Sequence, residues 1–271
     1  MKTEEYKRAN KALWDERAEL HLESDFYDVE GFLAGNTTLS AYELEELGSV
    51  AGKSLLHLQC HFGLDTLSWA RLGARAVGVD FSEKAIEIAQ DLNEKLALDA
   101  EFVCADIYEL PAVLKGRYDI VYTSNGVLAW LSDLRKWARV ISHFLKPGGT
   151  FYLTDFHPFA WVFDDEGELT ELKVRYPYFY SPEPLELEVQ GSYADRQAEM
   201  RQEVEYEWAH NVGDVLNALI SAGLRIDYFH EFPFSMYEMF PGLMTQDRDG
   251  LWRLKEHEDS VPLMFSLQAH K

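Results

Sequence analysis

Two cysteines, Cys60 and Cys104, are all that the 271 residues contain. That is too few for a disulfide framework. Both close short apolar runs, so the pattern predicts buried free thiols in a reducing cytosol. Cations are scarce as well: 25 Lys and Arg stand against 47 Asp and Glu, for a formal net charge of −22. Nucleic-acid binding draws most of its affinity from cations on phosphates, and no Lys/Arg cluster is long enough to supply them. Polynucleotide and anionic-membrane partners are therefore disfavoured. No apolar stretch is long enough to span a bilayer, and Met1 to Glu5 shows no apolar leader; a cytoplasmic protein is the expectation. The nine histidines lack ligand spacing such as HExxH and no cysteine pairs with them, so no metal is expected. A Gly-x-Ser-x-Gly elbow, a phosphate loop and internal repeats are also missing.

What is present is an alternation of apolar strands and helices. Residues 1–50 read as a polar helical segment in which Tyr6, Leu13, Trp14 and Ala18 recur at helical spacing. Short apolar runs at 54–58, 76–79, 101–104, 118–122 and 150–154 read as buried strands. Helices are expected over 64–72, 82–98 (capped by Ser82) and 134–145. This order implies a parallel α/β sheet with right-handed crossovers. Across 157–207, the runs 185–189 and 203–207 alternate with period two, which predicts an inserted antiparallel cap with one wet face. A helix over 211–222, with Asn211 and Asp214 as a capping pair, and strands over 224–229 and 262–269 complete the chain. The expected division is a helical lid (1–50), a core (51–156), a cap (157–207) and the end of the core sheet (208–271).

In such folds the ligand lies beyond the carboxyl ends of the strands, where the first loop meets a helix N-terminus. Here that loop is Gln59-Cys60-His61-Phe62-Gly63. Asp80 ends the second strand and is placed to accept from both hydroxyls of a ribose. Ala105-Asp106-Ile107 follows the third strand and suits an adenine, with Asp106 accepting from the amine and Ile107 offering an apolar face. A dinucleotide reading is disfavoured, because Gln59 and His61 stand where close approach to a pyrophosphate demands glycine. S-adenosylmethionine carries no phosphate, and Gln59 or His61 can meet its amino-acid end.

Residues from about 50 to 156 resemble the class I (Rossmann-like) S-adenosylmethionine-dependent methyltransferases. The likeness rests on 56–63, Val79-Asp80-Phe81-Ser82, Cys104-Ala105-Asp106, Tyr118-Asp119-Ile120-Val121 and Leu145-Lys146-Pro147-Gly148-Gly149-Thr150. It implies a seven-stranded, mostly parallel sheet whose last strand is antiparallel. It implies S-adenosyl-L-methionine as co-substrate, held by Gln59, His61, Gly63, Asp80, Phe81, Ser82, Ala105, Asp106, Ile107, Ser124 and Asn125. His57 replaces the family's usual acid, and two motif glycines are absent. Trp14 and Arg17 are candidates to close over the cofactor, as N-terminal helices do in this family.

The function expected is methyl transfer to a small acceptor, with the aromatic-rich 157–207 region forming an apolar or aromatic pocket. His157 and His210 are the candidate catalytic residues, expected to converge on one cleft. Rival readings are a non-catalytic binding protein on the same fold and an RNA or protein methyltransferase. The acceptor, the methylated atom and the oligomeric state are not legible.

Overall fold

The computed structural model describes residues 2–271. Three helices come first: α1 (Lys2–Leu22), α2 (Val29–Leu33) and α3 (Ala41–Leu47). Strands and helices then alternate through β1 (Ser54–Leu58), α4 (Leu64–Arg71), β2 (Arg75–Asp80), α5 (Glu83–Leu96), β3 (Glu101–Cys104), α6 (Leu110–Val113), β4 (Tyr118–Ser124), α7 (Leu134–Phe144) and β5 (Leu145–Phe156). A hairpin of β6 (Leu185–Glu188) and β7 (Val204–Glu207) precedes α8 (Val212–Ser221) and β8 (Arg225–Phe232). Last come β9 (Met244–Gln246), β10 (Trp252–Leu254) and β11 (Met264–His270).

The main sheet has the order β3-β2-β1-β4-β5-β11-β8. Only β11 runs against its neighbours, pairing antiparallel with both β5 and β8. This is the seven-stranded, mostly parallel arrangement expected. The order reverses between β1 and β4, and such a switch point opens a crevice beyond the strand ends. The central strands read as continuous apolar runs because both faces are covered. On one face α7 buries Trp137, Ile141 and Phe144 against Val121, Phe151 and Leu267, joined by Val215 and Leu219 of α8. On the other, Phe62, Leu67, Ile88 and Leu92 form one cluster, and Leu55, Trp69, Tyr122 and Tyr152 another. Each such large apolar side chain contributes about 1.5–3 kcal/mol on burial.

Helix starts follow the side-chain chemistry. Ser82 accepts from the Ala85 N–H and Asn211 from the Asp214 N–H, each closing an otherwise free donor of the first turn. Three expectations are corrected. Cys60 is buried, but Cys104 is exposed, because it ends β3 at the edge of the sheet. The small antiparallel pair β9–β10 was not anticipated; its sequence signal is the Asp249-Gly250 turn. The hairpin β6–β7 is present and antiparallel, but its glutamates do not all face water, as described below. No helix among the described residues is long and apolar enough to cross a membrane.

Candidate active site

Beyond the carboxyl ends of β1, β2 and β4 lies a cavity of about 1200 Å³. Its floor is the strand ends and their loops. Its other walls come from α1, residues 26–38, the segment after β5 and the hairpin β6–β7.

The loop after β1 keeps the backbone of a glycine-rich turn with only its last glycine. Gln59, His61 and Gly63 have φ of 60°, 49° and 84°. This left-handed conformation is easy for glycine and costs other residues about 1–2 kcal/mol. Compensating contacts hold it here. The His61 N–H donates to Asp80 Oδ2 at 2.8 Å, and the Gln59 amide donates to the Val127 carbonyl at 3.3 Å. His61 Nε2 also pairs with His21 Nδ1 of α1 at 2.8 Å, and His21 Nε2 with Ser192 Oγ at 2.6 Å. Burial pushes His61 down to about 3 and His21 to about 2, so both imidazoles are neutral at pH 7. A side chain on Gly63 would stand 2.7 Å from the Phe102 ring, so this position takes no other residue without displacement.

Asp80 is nearly buried, and burial raises it to about 6 against the hydrogen bonds from Ser82 and His61 N–H that favour the charged form. Asp106 accepts from the Tyr108 N–H and forms an ion pair with Lys7 of α1 at 2.7 Å. Asp155 shapes the turn after β4: its two oxygens accept from the N–H groups of Gly126, Val127 and Leu128. That turn carries Asn125, with φ of 57°, into the cavity wall. Ser124 donates to the half-buried Asp65 at 2.8 Å. His57, at the place of the family's usual acid, is a satisfied core group: its ring nitrogens meet Thr66 at 2.8 Å and Ser124 at 3.3 Å.

Of the residues the sequence singled out, Gln59, His61, Gly63, Asp80, Phe81, Ala105, Asp106, Ile107, Ser124, Asn125 and His210 all line this cavity, as do Trp14 and Arg17. Ser82 does not; it caps α5 and donates to Asp15 at 2.7 Å. His157 does not either. It turns to the β8 side, with Nε2 3.0 Å from Glu231 and Nδ1 accepting from the Phe159 N–H, and it lines a separate shallow hollow. The expected convergence of His157 and His210 is thus corrected: β11 lies between β5 and β8, and its pairing holds His157 N–H on the Leu263 carbonyl. His210 reaches the cavity wall, but its Nε2 is 2.6 Å from the Leu131 carbonyl and its ring stacks on Tyr180.

Sequence reasoning missed Lys7, Asp65, Glu205 and Glu207. The last two had a signal, the period-two run 203–207, which marks two faces but not which of them turns inward. Glu205 and Glu207 sit opposite Leu187 and Leu185 in the hairpin, and these four side chains line the cavity. The intervening Tyr206 packs on Tyr6 with ring centres 4.4 Å apart.

Buried polar atoms without partners mark where a ligand is missing a counterpart. Gln59 Oε1, His61 Nδ1, Asn125 Oδ1 and Arg17 Nε are such atoms, and all four residues line this cavity.

Residues 55–149, about a third of the chain, match the family model described as a methyltransferase domain. Residues 55–149 thus resemble a methyltransferase domain, on a Rossmann-like fold. This core has curated relatives named ubiquinone biosynthesis O-methyltransferase. That of Chromobacterium violaceum is 28% identical over 111 residues, 41% of this chain and 47% of the relative. The chain thus matches less than half the length of that relative. Among solved structures, an S-adenosylmethionine-dependent methyltransferase from Mesorhizobium loti superposes with a TM-score of 0.63 at 22% identity, covering 88% of this chain and all of the other. The [4+2]-cyclase SpnF superposes at 0.51 with 20% identity, over 95% of this chain and 80% of its own. Likeness at this level carries the fold and not the reaction.

Proposed function

We propose that the protein transfers the methyl group of S-adenosylmethionine to a small organic acceptor. The observation that carries this reading is the set of unpartnered buried atoms at the strand ends of a core that resembles a methyltransferase domain. They match the donor's amino-acid end by type. Its ammonium needs acceptors, which Gln59 Oε1 and Asn125 Oδ1 provide; its carboxylate needs a donor, which Arg17 Nε provides. Asp80 keeps free lone pairs beside its two backbone N–H bonds and suits the ribose hydroxyls. Ile107 and Ala105 flank the place for the adenine, with Asp106 as its hydrogen-bond acceptor. Gly63 gives the close backbone approach, and Phe81 and Ser124 complete the wall; Ser82 contributes only by holding α5.

The bound sulfonium supplies an electrophilic methyl group that needs no further activation. The protein's part is to hold donor and nucleophile in line and to keep water out. The Trp14 and Trp130 rings, 5.2 Å apart edge to face, close the cavity from α1 and from the turn after β4. The acceptor side, built by 157–207, is rich in aromatic rings and fits a small acceptor with an apolar or aromatic frame.

Isothermal calorimetry with S-adenosylhomocysteine, followed by a metabolite screen that reads S-adenosylhomocysteine release, tests the proposal. Binding with turnover on a small acceptor supports it. No heat and no thermal shift with either form of the cofactor would overturn it. Binding without turnover on any acceptor would favour a different reaction on the same fold.

A further inference from the structure

The wall that faces the strand ends is acidic. Asp165, Glu166, Glu168, Glu188, Glu205 and Glu207 line it, with Arg17 and Arg196 as its cations. Both cations are engaged. Arg17 Nη2 stands 2.8 Å from Glu205, and the Arg196 guanidinium donates to the carbonyls of Asp165 (3.4 Å) and Glu238 (2.9 Å). Glu207 is left over. No ion pair and no hydrogen-bond donor among the described residues meets its carboxyl group, and what exposure it keeps is to the cavity. Burial first, and then Glu205, push its carboxyl up to about 8; Arg17 opposes this, and Asp165 adds to it.

Glu207 is half-buried and opens on the cavity, and a cation bound there would favour its charged form without displacing a partner. The surroundings specify the ligand's charge. Apart from the one Arg17 N–H left for the cofactor's carboxylate, an anion here would face acidic side chains, with the rest of Arg17 turned to Glu205 and Arg196 held on two carbonyls. A cation would find Glu207 free and aromatic faces beside it. Tyr237 lines the same cavity, and its ring is 5.1 Å from Phe156 and 5.9 Å from Tyr193. The same cavity already seats one cation on aromatic rings: the Arg17 guanidinium lies 5.4 Å from the Trp14 centroid and 5.7 Å from that of Trp130. Leu185 and Leu187 of the same hairpin face give the apolar remainder.

We infer that the acceptor is an organic amine, held as its ammonium on an apolar or aromatic frame, and that Glu207 is the residue that selects it. For transfer to nitrogen the ammonium first passes one proton to the Glu207 carboxylate, which frees the lone pair that attacks the methyl carbon as the C–S bonding pair leaves with sulfur. This rests on the methyl-transfer reading for the name acceptor, but the cation preference of the wall is measurable by itself.

Three probes with one skeleton test it: 2-phenylethylamine, 2-phenylethanol and 3-phenylpropanoate, titrated into the protein with and without S-adenosylhomocysteine. The expected order is amine over alcohol, with the carboxylate last. Glu207→Gln should weaken the amine by about ten- to a hundredfold and leave the alcohol unchanged, the loss for one hydrogen bond to a charged group. Carboxylate binding equal to amine binding, no amine binding at about 10 mM, or an unaltered amine affinity in Glu207→Gln overturns the inference. So does a Glu207→Gln variant that loses affinity for S-adenosylmethionine but not for S-adenosylhomocysteine, since Glu207 then serves the donor's sulfonium. Failure of the methyl-transfer reading shows differently, as absent S-adenosylhomocysteine binding, and the titrations without it still decide the amine question.

Discussion

His61 Nε2 lies 2.8 Å from His21 Nδ1, so the first loop of the sheet and the N-terminal helix share a hydrogen bond between two neutral imidazoles. Their folded-state values are depressed, so the stability they contribute is present above the ordinary histidine range and is lost as pH falls from about 6.5 toward 3. The variant His21→Asn cannot titrate. It should be less stable than the parent at pH 7.5, and the gap should narrow at pH 5, by up to about 1.4 kcal/mol per pH unit. Urea unfolding at the two pH values measures this; a gap that stays constant would show that His21 is not held neutral.

Asp80→Ala should weaken S-adenosylhomocysteine binding by about 1.5–3 kcal/mol, as for lost hydrogen bonds to a charged group. It should also lower thermal stability, because the His61 N–H loses its acceptor in a loop with two non-glycine residues at positive φ. Calorimetry and a melting curve separate the two effects. An unchanged dissociation constant would place the ribose elsewhere.

His157→Ala should leave turnover and acceptor affinity as they are, because its ring faces Glu231 and not the cavity. His210→Ala should cost about 1–3 kcal/mol of stability through the unpaired Leu131 carbonyl and should alter acceptor affinity through the lost Tyr180 stack. Steady-state kinetics with any accepted amine reads both. A turnover loss in His157→Ala at full cofactor affinity would restore it as a participant.

The thiols should report the sheet edge. Cys104 is exposed and Cys60 buried. A disulfide-exchange reagent should modify one thiol in the native protein and both in denaturant. Reaction at Cys104 should be slow near pH 7, because partial burial, with Glu83 nearby, raises its thiol. Two fast native thiols would contradict the packing of the loop at Cys60.

The alternation of apolar runs announced the sheet, because strands covered on both faces carry a pattern that no solvent exposure dilutes. The crevice at the strand ends was legible for a related reason: Asp80 and Asp106 follow strand ends, and chain order alone brings them to one cavity. The acceptor side was not. Glu205 and Glu207 alternate with Val204 and Tyr206 in a way that looks like a wet face turned outward, and only the contact of Tyr206 with Tyr6 reveals that the tyrosine covers the helix while the glutamates turn in. His157 was misplaced because strand ends define an edge but not which side of the sheet a following side chain takes; its partner Glu231 lies 74 residues further along the chain, on β8. His61 was read as a loop residue, and its bond to His21 depends on how α1 docks.

Asn10 of α1 is almost fully buried, and its side chain amide donates to the Tyr206 carbonyl at 2.7 Å and accepts from the Tyr206 N–H at 2.9 Å. One helical side chain thereby stands in for a neighbouring strand along the edge of β7. Glu16 likewise holds the N–H groups of Arg201 and Gln202. These ties make α1 and the hairpin one wall, so Asn10→Ala should raise the dissociation rate of S-adenosylhomocysteine, read by stopped-flow, more than it raises the dissociation constant.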